Sequence, residues 1–247
     1  VATTKVVVIT GASSGIGAVL AEQLSRDGTK VALVGRRETA LRRVAERCAP
    51  NALPIIADVT RREAVSDVVD EVVEHFGHMD VWINNVGRGI SRLATELTDE
   101  DIDDMMLVNV KSALYGMQES FRYFRERGEG HIINVSSMLG RMPLAPIRSA
   151  YSASKHFLNA LTANFRDDVH AQYPNIQVSL VSPGIVATDF GLHALHAGGP
   201  DNRTMPNAQS AEAVAEVIRG VIGSRRADVY TVPGAQEAVV KYFGIVR

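Results

Sequence analysis

The chain has 247 residues, is 46% apolar, and carries 26 basic against 28 acidic residues for a net charge of −2. A chain of this size buries roughly 70% of its unfolded surface, so one large core needs no disulfide or metal staple, and the apolar content excludes a disordered chain. The near-neutral balance, with arginine pairs at 36–37, 42–43, 61–62 and 225–226 scattered among acids, excludes a dedicated nucleic-acid binder, and no apolar run reaches the roughly 18 residues that span a bilayer.

Taken in chain order, short β-rich runs alternate with amphipathic stretches. Lys5–Thr10 (KVVVIT) is continuously apolar, as a strand covered on both faces must be. Further strands are predicted at Lys30–Val34, Leu53–Ala57, Met79–Ile83, His131–Val135, Gln177–Val181 and Asp228–Val232. Between them Ile16, Val19, Leu20 and Leu24 share one helical face, and Val65, Val68, Val69, Val72 and Val73 share another. Strict alternation predicts an α/β, doubly wound fold: a seven-stranded parallel sheet with right-handed crossovers and helices on both faces. Residues 1–247 are expected to form one domain, with a substrate flap at about 185–208, where Gly, Pro and His accumulate. The single cysteine, Cys48, cannot form an internal bridge and reads as structural, so a cytoplasmic protein is the default. A start at Val1 is compatible with a trimmed leader.

The turn after the first strand reads Thr10-Gly11-Ala12-Ser13-Ser14-Gly15-Ile16-Gly17. Glycines between a strand and a helix let a pyrophosphate approach the backbone, where free N–H groups and the helix dipole hold the anion. The same residues match G-x-S-x-G, the hydrolase nucleophile elbow, with Ser13 as nucleophile. That elbow needs an oxyanion loop from an earlier strand, and no strand precedes residue 5. An NAD site places a carboxylate at the end of the second strand; here stands Val34-Gly35-Arg36-Arg37. Gly35 leaves room, and Arg36, with Arg37 beside it, offers a planar fork for a 2′-phosphate. The cofactor expected is NADP(H). The plainer alternative is that both arginines are the solvated start of the next helix.

Tyr151 and Lys155 stand at i and i+4 on one helix face. A phenol titrates near 10, and a neighbouring ammonium pulls it towards neutrality, into the range of a general acid or base. Asn134-Val135-Ser136-Ser137, Asn84-Asn85-Val86-Gly87 and Ser182-Pro183-Gly184-Ile185-Val186-Ala187-Thr188 follow predicted strands, where α/β sheets bind ligands, and Asn109 lies in a helical stretch.

Together these pieces resemble the short-chain dehydrogenase/reductase family, from about Lys5 to Val232. The resemblance implies a Rossmann-type domain and a tetrad of Asn109, Ser137, Tyr151 and Lys155. Tyr151 would be the general acid in carbonyl reduction and the base in alcohol oxidation. Lys155 would lower its pKa and hold the nicotinamide ribose, Ser137 would bond the substrate oxygen, and Asn109 would hold a water joining Lys155 to a proton relay. Gly11, Ser13, Ser14, Gly15, Ile16 and Gly17 would take the pyrophosphate and ribose, and Asp58 and Val59 the adenine. Asn85, Val86 and Gly87 would lie beside the cofactor, and Pro183, Gly184, Val186 and Thr188 beside the carboxamide. The implied partners are a small carbonyl or alcohol and a second copy of the chain, as a homodimer or homotetramer pairing through helices at Asp101–Arg127 and Tyr151–His170. Two departures stand out: Val86 replaces the usual alanine, and the 14 residues from Ser137 to Tyr151 are one more than is common.

Around the expected pocket, Phe190, Leu192 and Met205 are candidates for an apolar lid, and Leu139, Met142 and Leu144 for the opposite wall. Arg88, Arg141 and Arg148 flank its mouth, as solvated residues or as attractors of a carboxylate. His193-Ala194-Leu195-His196 lacks a nearby third ligand, so surface histidines are expected rather than a metal site. A non-catalytic NADP(H)-binding sensor or scaffold of the same fold is the alternative to an enzyme; such a protein has no need of the tyrosine and lysine, and both are present.

Overall fold

The structure, a computed structural model, describes residues 4–196 and 201–245; residues 197–200 of the predicted flap lie outside these. Seven strands form one sheet: β1 (Val6–Thr10), β2 (Lys30–Gly35), β3 (Ala52–Ile56), β4 (Val81–Asn84), β5 (Gly130–Val135), β6 (Ile176–Ser182) and β7 (Asp228–Tyr230). Their order is β3-β2-β1-β4-β5-β6-β7 and every pairing is parallel. This is the doubly wound Rossmann-type arrangement, with the strand order reversing between β1 and β4. Such a switch point opens a crevice at the carboxyl ends of the strands.

The helices are α1 (Gly15–Arg26), α2 (Glu38–Cys48), α3 (Arg62–Phe76), α4 (Asp99–Met106), α5 (Ser112–Arg127), α6 (Ser149–Gln172), α7 (Ala211–Ser224) and α8 (Ala235–Ile245). Alternate strand residues face opposite ways, so the sheet carries a core on each side. Val7, Ile9, Leu33 and Ile83 pack with Leu20, Leu24, Leu41 and Ile218 of α1, α2 and α7. Val6, Val8, Trp82 and Ile132 pack with Val65, Val69, Met117, Phe124 and Val169 of α3, α5 and α6. No helix among the described residues is long and apolar enough to cross a membrane.

Two local features lie outside what periodicity shows. The stretch expected as one helix from Asp101 to Arg127 contains a π-turn at Leu107–Lys111, where the Ser112 N–H reaches back to the Leu107 carbonyl. The flap is tied at both ends. Ala187 and Gln209 bond across it, Leu195 N donates to Gly89 O at 2.9 Å, and Ser91 N donates to Leu195 O at 3.1 Å.

Cys48 is fully buried, and burial pushes its thiol up to about 11, which makes it the inert structural residue expected. His131 is buried in β5 with its Nε2 2.8 Å from the Ser179 hydroxyl, which itself donates to Arg226 O. The hydrogen-bond network therefore assigns the proton to Nε2, and Nδ1 has no partner among the described residues. Burial, with the Arg225 and Lys5 charges, lowers its pKa from 6.5 to about 3. Below pH 6.5 the unfolded chain takes up a proton that the folded chain refuses until near pH 3, so stability falls as pH falls. Between pH 7 and pH 5 the native protein should lose about 2 kcal/mol more than His131→Gln in urea unfolding. Equal losses would mean that His131 is not held neutral.

Candidate functional site

A cleft of about 870 Å³ runs along the carboxyl edge of the sheet, from the ends of β2 and β3 to the start of α6 and the flap. Of the residues expected at the site, all line it except Gly17 and Asn109, which stand directly behind its wall.

The glycine loop forms the floor. Gly15 has φ +56°, and a Cβ there would lie 3.4 Å from the Thr188 methyl, so the flap closes down on the first residue of α1. Gly17 permits close packing: a Cβ would sit 2.7 Å from both the Asn85 amide nitrogen and the Gly11 carbonyl. Asn85 clasps the loop, its Nδ2 donating to Thr10 O at 3.0 Å and its backbone N–H to Thr10 Oγ1. Val86 touches the same turn, its methyl 3.3 Å from where a Gly11 Cβ would stand. Ser14 makes no side-chain cap to α1 and the first turn holds no acid, so the first N–H groups keep their capacity for an anion. Ser13 Oγ instead accepts from Arg37 Nη2 at 3.1 Å, which disposes of the nucleophile reading: the partner of Ser13 is a cation, not a base.

The two arginines after β2 act differently. Arg37 turns back over the loop, its Nη2 also 2.7 Å from Ser14 Oγ. Arg36 lies 3.6 Å from Asp58 at the end of β3. Burial raises the Asp58 carboxyl, but the Thr60 hydroxyl and N–H and the Arg36 charge outweigh it, and the pKa ends below the usual value. Gly35 leaves space between them: a Cβ there would be 3.4 Å from Leu41 and 3.7 Å from Ser13.

At the other end, Ser137, Tyr151 and Lys155 come together. Both Ser136 and Ser137 border the cleft, but the Ser136 hydroxyl is spent on Asn159, which leaves the Ser137 hydroxyl as the one beside Tyr151. The loop after Ser137 is pinned to α6 by Asn159 Nδ2 on Gly140 O at 2.7 Å, so the longer separation does not part Ser137 from Tyr151. Lys155 is buried, donates to Val135 O at 3.0 Å, and lies 5.9 Å from the Tyr151 ring centre. Asn109 is wholly buried. Its Oδ1 accepts from Arg88 N at 2.7 Å, and its Nδ2 donates to Arg88 O and Ser154 Oγ at 2.9 and 3.0 Å. It is a positioning residue that clamps the 86–88 turn. A Cβ at Gly87 would stand 3.4 Å from Asn109 Oδ1 and 3.5 Å from Lys155 Nζ, which shows how near the two lie.

The electrostatics add burial to the picture. Burial raises the Tyr151 pKa, and the Ser137 hydroxyl and the Arg148 charge oppose it without reversing it. Burial also lowers Lys155 to about 8, which leaves it mostly an ammonium at neutral pH. Arg148 thus joins Lys155 as a second cation whose field reaches the Tyr151 phenol.

Other expectations are sorted by position. Leu139, Leu144, Phe190 and Met205 line the cleft, but Met142 is turned into the protein and Leu192 is exposed on the flap. Trp82 is fully buried and bonds Asn84 at 2.7 Å, so it faces the core rather than the cleft. Asn84 passes this bonding on to Asn134, and Asn134 to Thr162, a buried polar ladder between the strand ends that no sequence pattern marked. His196 is not a free surface histidine: it bonds the buried Asp101, which also caps α4 and holds Arg92 at 2.8 Å. Among the described residues no group of three or more metal-binding side chains occurs.

The geometry fits a dinucleotide: a glycine floor without side chains, unspent helix N–H groups, two cations at the far end, and a Ser/Tyr/Lys cluster at the near end. Comparison with known proteins agrees. Residues 5–195 match the family described as short chain dehydrogenase. An uncharacterized oxidoreductase of Staphylococcus epidermidis is 36% identical over 193 residues, covering 76% of this chain and 83% of its own. A short chain dehydrogenase/reductase from Burkholderia phymatum in complex with NAD superposes with a TM-score of 0.88 at 25% identity, covering 99% of this chain and 95% of that one. An alcohol dehydrogenase from the archaeon Thermococcus sibiricus, complexed with 5-hydroxy-NADP, gives 0.78 at 27% identity, with coverages of 92% and 94%.

Proposed function

The chain belongs to the short-chain dehydrogenase/reductase family and is an oxidoreductase that takes a nicotinamide cofactor; from this premise we propose that it is an NADP(H)-dependent carbonyl reductase or secondary-alcohol dehydrogenase. The observation that carries the reading is the pairing, along one cleft, of the Ser137–Tyr151–Lys155 cluster with a β2 end that reads Gly35-Arg36-Arg37 and carries no carboxylate of its own.

In this reading Arg36 and Arg37 hold the 2′-phosphate, Asp58 and Val59 border the adenine, and the Gly11–Gly17 loop takes the pyrophosphate. Asn85, Val86 and Gly87 flank the nicotinamide end, with Pro183, Gly184, Val186 and Thr188 closing over it. When bound, the nicotinamide supplies or accepts the hydride. Tyr151 gives its hydroxyl proton to the carbonyl oxygen in reduction and takes it back in oxidation. Ser137 donates a hydrogen bond to the same oxygen. Lys155 binds the ribose hydroxyls, and Asn109, across Gly87 from it, orders the water through which the proton reaches solvent. The raised Tyr151 pKa keeps the phenol protonated at neutral pH, which suits the reductive direction. The chain works as one domain, in the cytoplasm, and pairs with copies of itself. Exposed Ile102 on α4, Leu107 just after it and Phe157 on α6 support that pairing.

Calorimetric titration with NADPH and with NADH, followed by a screen of ketones, keto acids and secondary alcohols, tests the reading. NADPH should bind at least about tenfold more tightly, since its extra phosphate gains charge-assisted bonds. Equal affinities would remove the NADP(H) assignment. Tight binding with no turnover of any carbonyl would favour the non-catalytic sensor.

A further inference from the structure

Three arginines were expected at the mouth of the cleft, and only one keeps its charge available there. Arg88 grips both oxygens of Asp104, at 3.0 and 3.2 Å. Arg141 pairs with Asp228, lies over the Tyr230 ring, and does not line the cleft. Arg148 lines the cleft one helical turn before Tyr151, is half-buried, and forms no ion pair with any carboxylate among the described residues. Its Nη1 donates to Ile90 O and Ser91 Oγ, both at 3.1 Å. Those two bonds fix the guanidinium in place and leave the other edge of the fork, Nε and Nη2, without a partner among the described residues. The nearby flap carboxylate, Asp189, is 3.9 Å from His193 and lies within the field of Arg203.

A half-buried cation is costly without a counter-charge. A cation kept beside the reacting atoms, pre-oriented by backbone and hydroxyl, is an anion site waiting for its ligand. The cofactor phosphate is not that ligand. Arg36 and Arg37 stand at the end of β2, three strand spacings from β5, on the order of 14 Å away. The walls between Tyr151 and the cleft mouth are apolar: Leu139, Leu144, Ile147, Phe190 and Met205.

We propose that Arg148 is the specificity residue of the site and that the substrates are oxo acids and hydroxy acids, with a carboxylate held by the free edge of the Arg148 fork and a carbon chain resting on the apolar walls. The inference rests on the proposed oxidoreductase reading and adds the substrate class to it. The carboxylate is planar and presents two oxygens, as the fork does, so the pairing fixes which carbon of the chain reaches the Tyr151 hydroxyl.

The test compares levulinate and its two next longer homologues with their methyl esters, using NADPH, in the native protein, Arg148→Gln and Arg148→Lys. A parallel arm measures binding of unreactive hexanoate and hexanamide to the protein with NADP⁺ by ligand-observed NMR. The native protein should favour one acid over its ester by about 30-fold in kcat/KM, the size of a lost charge-assisted pair. That ratio should fall to about 1 in Arg148→Gln, mostly through KM, and recover in part in Arg148→Lys, which keeps the charge without the fork. Hexanoate should bind and hexanamide should not. Equal binding of the two by the native protein overturns the proposal even if the Gln variant does not fold, and so does an acid preference that survives in folded Arg148→Gln. Failure of both NADPH and NADH to bind would sink the oxidoreductase reading instead, which the calorimetric titration reveals separately.

Discussion

Tyr151→Phe should lower kcat by about 10²- to 10⁴-fold, the usual contribution of a positioned proton donor, while the Kd for NADPH stays within about threefold. The substitution removes one oxygen and leaves the ring. That ring is buried, packs edge-on against Phe190 at 5.6 Å, and belongs to a small cluster with Ile90, Met105 and Ala150. Phe can fill the same space, so a loss of rate reports the hydroxyl and not a cavity. The loss should fall on kcat and kcat/KM together, because the proton is needed only as charge develops on the substrate oxygen. The pH dependence should go with it. Burial holds the Tyr151 pKa above its ordinary value, so reduction should be flat through neutrality and decline only in strongly alkaline solution. Oxidation, which needs the phenolate, should rise about tenfold per pH unit over the same range. Single-turnover measurements on the best substrate of the screen decide the matter. A variant within about tenfold of native turnover would remove Tyr151 from the chemistry and return the protein to the sensor reading.

The sheet was legible because its strands are covered on both faces: runs such as KVVVIT and KVALV have no polar alternation to confuse with a surface strand. The lining of the cleft was legible for a related reason. Ser137 follows β5, Asn85 follows β4 and Thr188 follows β6, so parallel strands deliver them to one edge whatever the loops do. What depended on side-chain direction was not legible. Trp82 and Asn84 are two apart on β4 and share the face under α5, so the tryptophan turns to the core just where the chain heads for the cleft. The π-turn at Leu107–Lys111 keeps the helical pattern on both sides and leaves no mark in the hydrophobic period. The i, i+4 spacing placed Lys155 near Tyr151, but spacing cannot show the burial of both groups or the second cation, Arg148, one turn earlier. Arg37 opens α2 in sequence and folds back to Ser13 and Ser14 in space, a contact made across 24 residues.

That backward fold of Arg37 sets the second large effect. Gly35→Asp should lower NADPH affinity by about 10²-fold and change NADH affinity far less, inverting the preference. The residue ends β2 beside the glycine loop, and a Cβ there meets Leu41 and Ser13 at ordinary contact distances, so a small side chain fits. Its carboxylate would enter the corner where Arg36 and Arg37 stand. Two consequences add. The new charge repels a 2′-phosphate directly, and it engages the arginines that would otherwise bind one. An adenosine without the phosphate meets neither penalty and gains an acceptor for its ribose hydroxyls. The single variants Arg36→Ala and Arg37→Ala apportion the site. Arg36 is shared with Asp58 at 3.6 Å, an exposed and weak pairing, and is free to swing to a phosphate. Arg37 is already oriented by Ser13 and Ser14, so it loses less freedom on binding. Arg37→Ala should therefore cost more NADPH affinity than Arg36→Ala, and calorimetry on both, with NADH as the control ligand, measures the difference. If Gly35→Asp left the NADPH-to-NADH ratio unchanged, the phosphate would not sit in this corner, and the two arginines would be what their exposure alone suggests, the solvated start of α2.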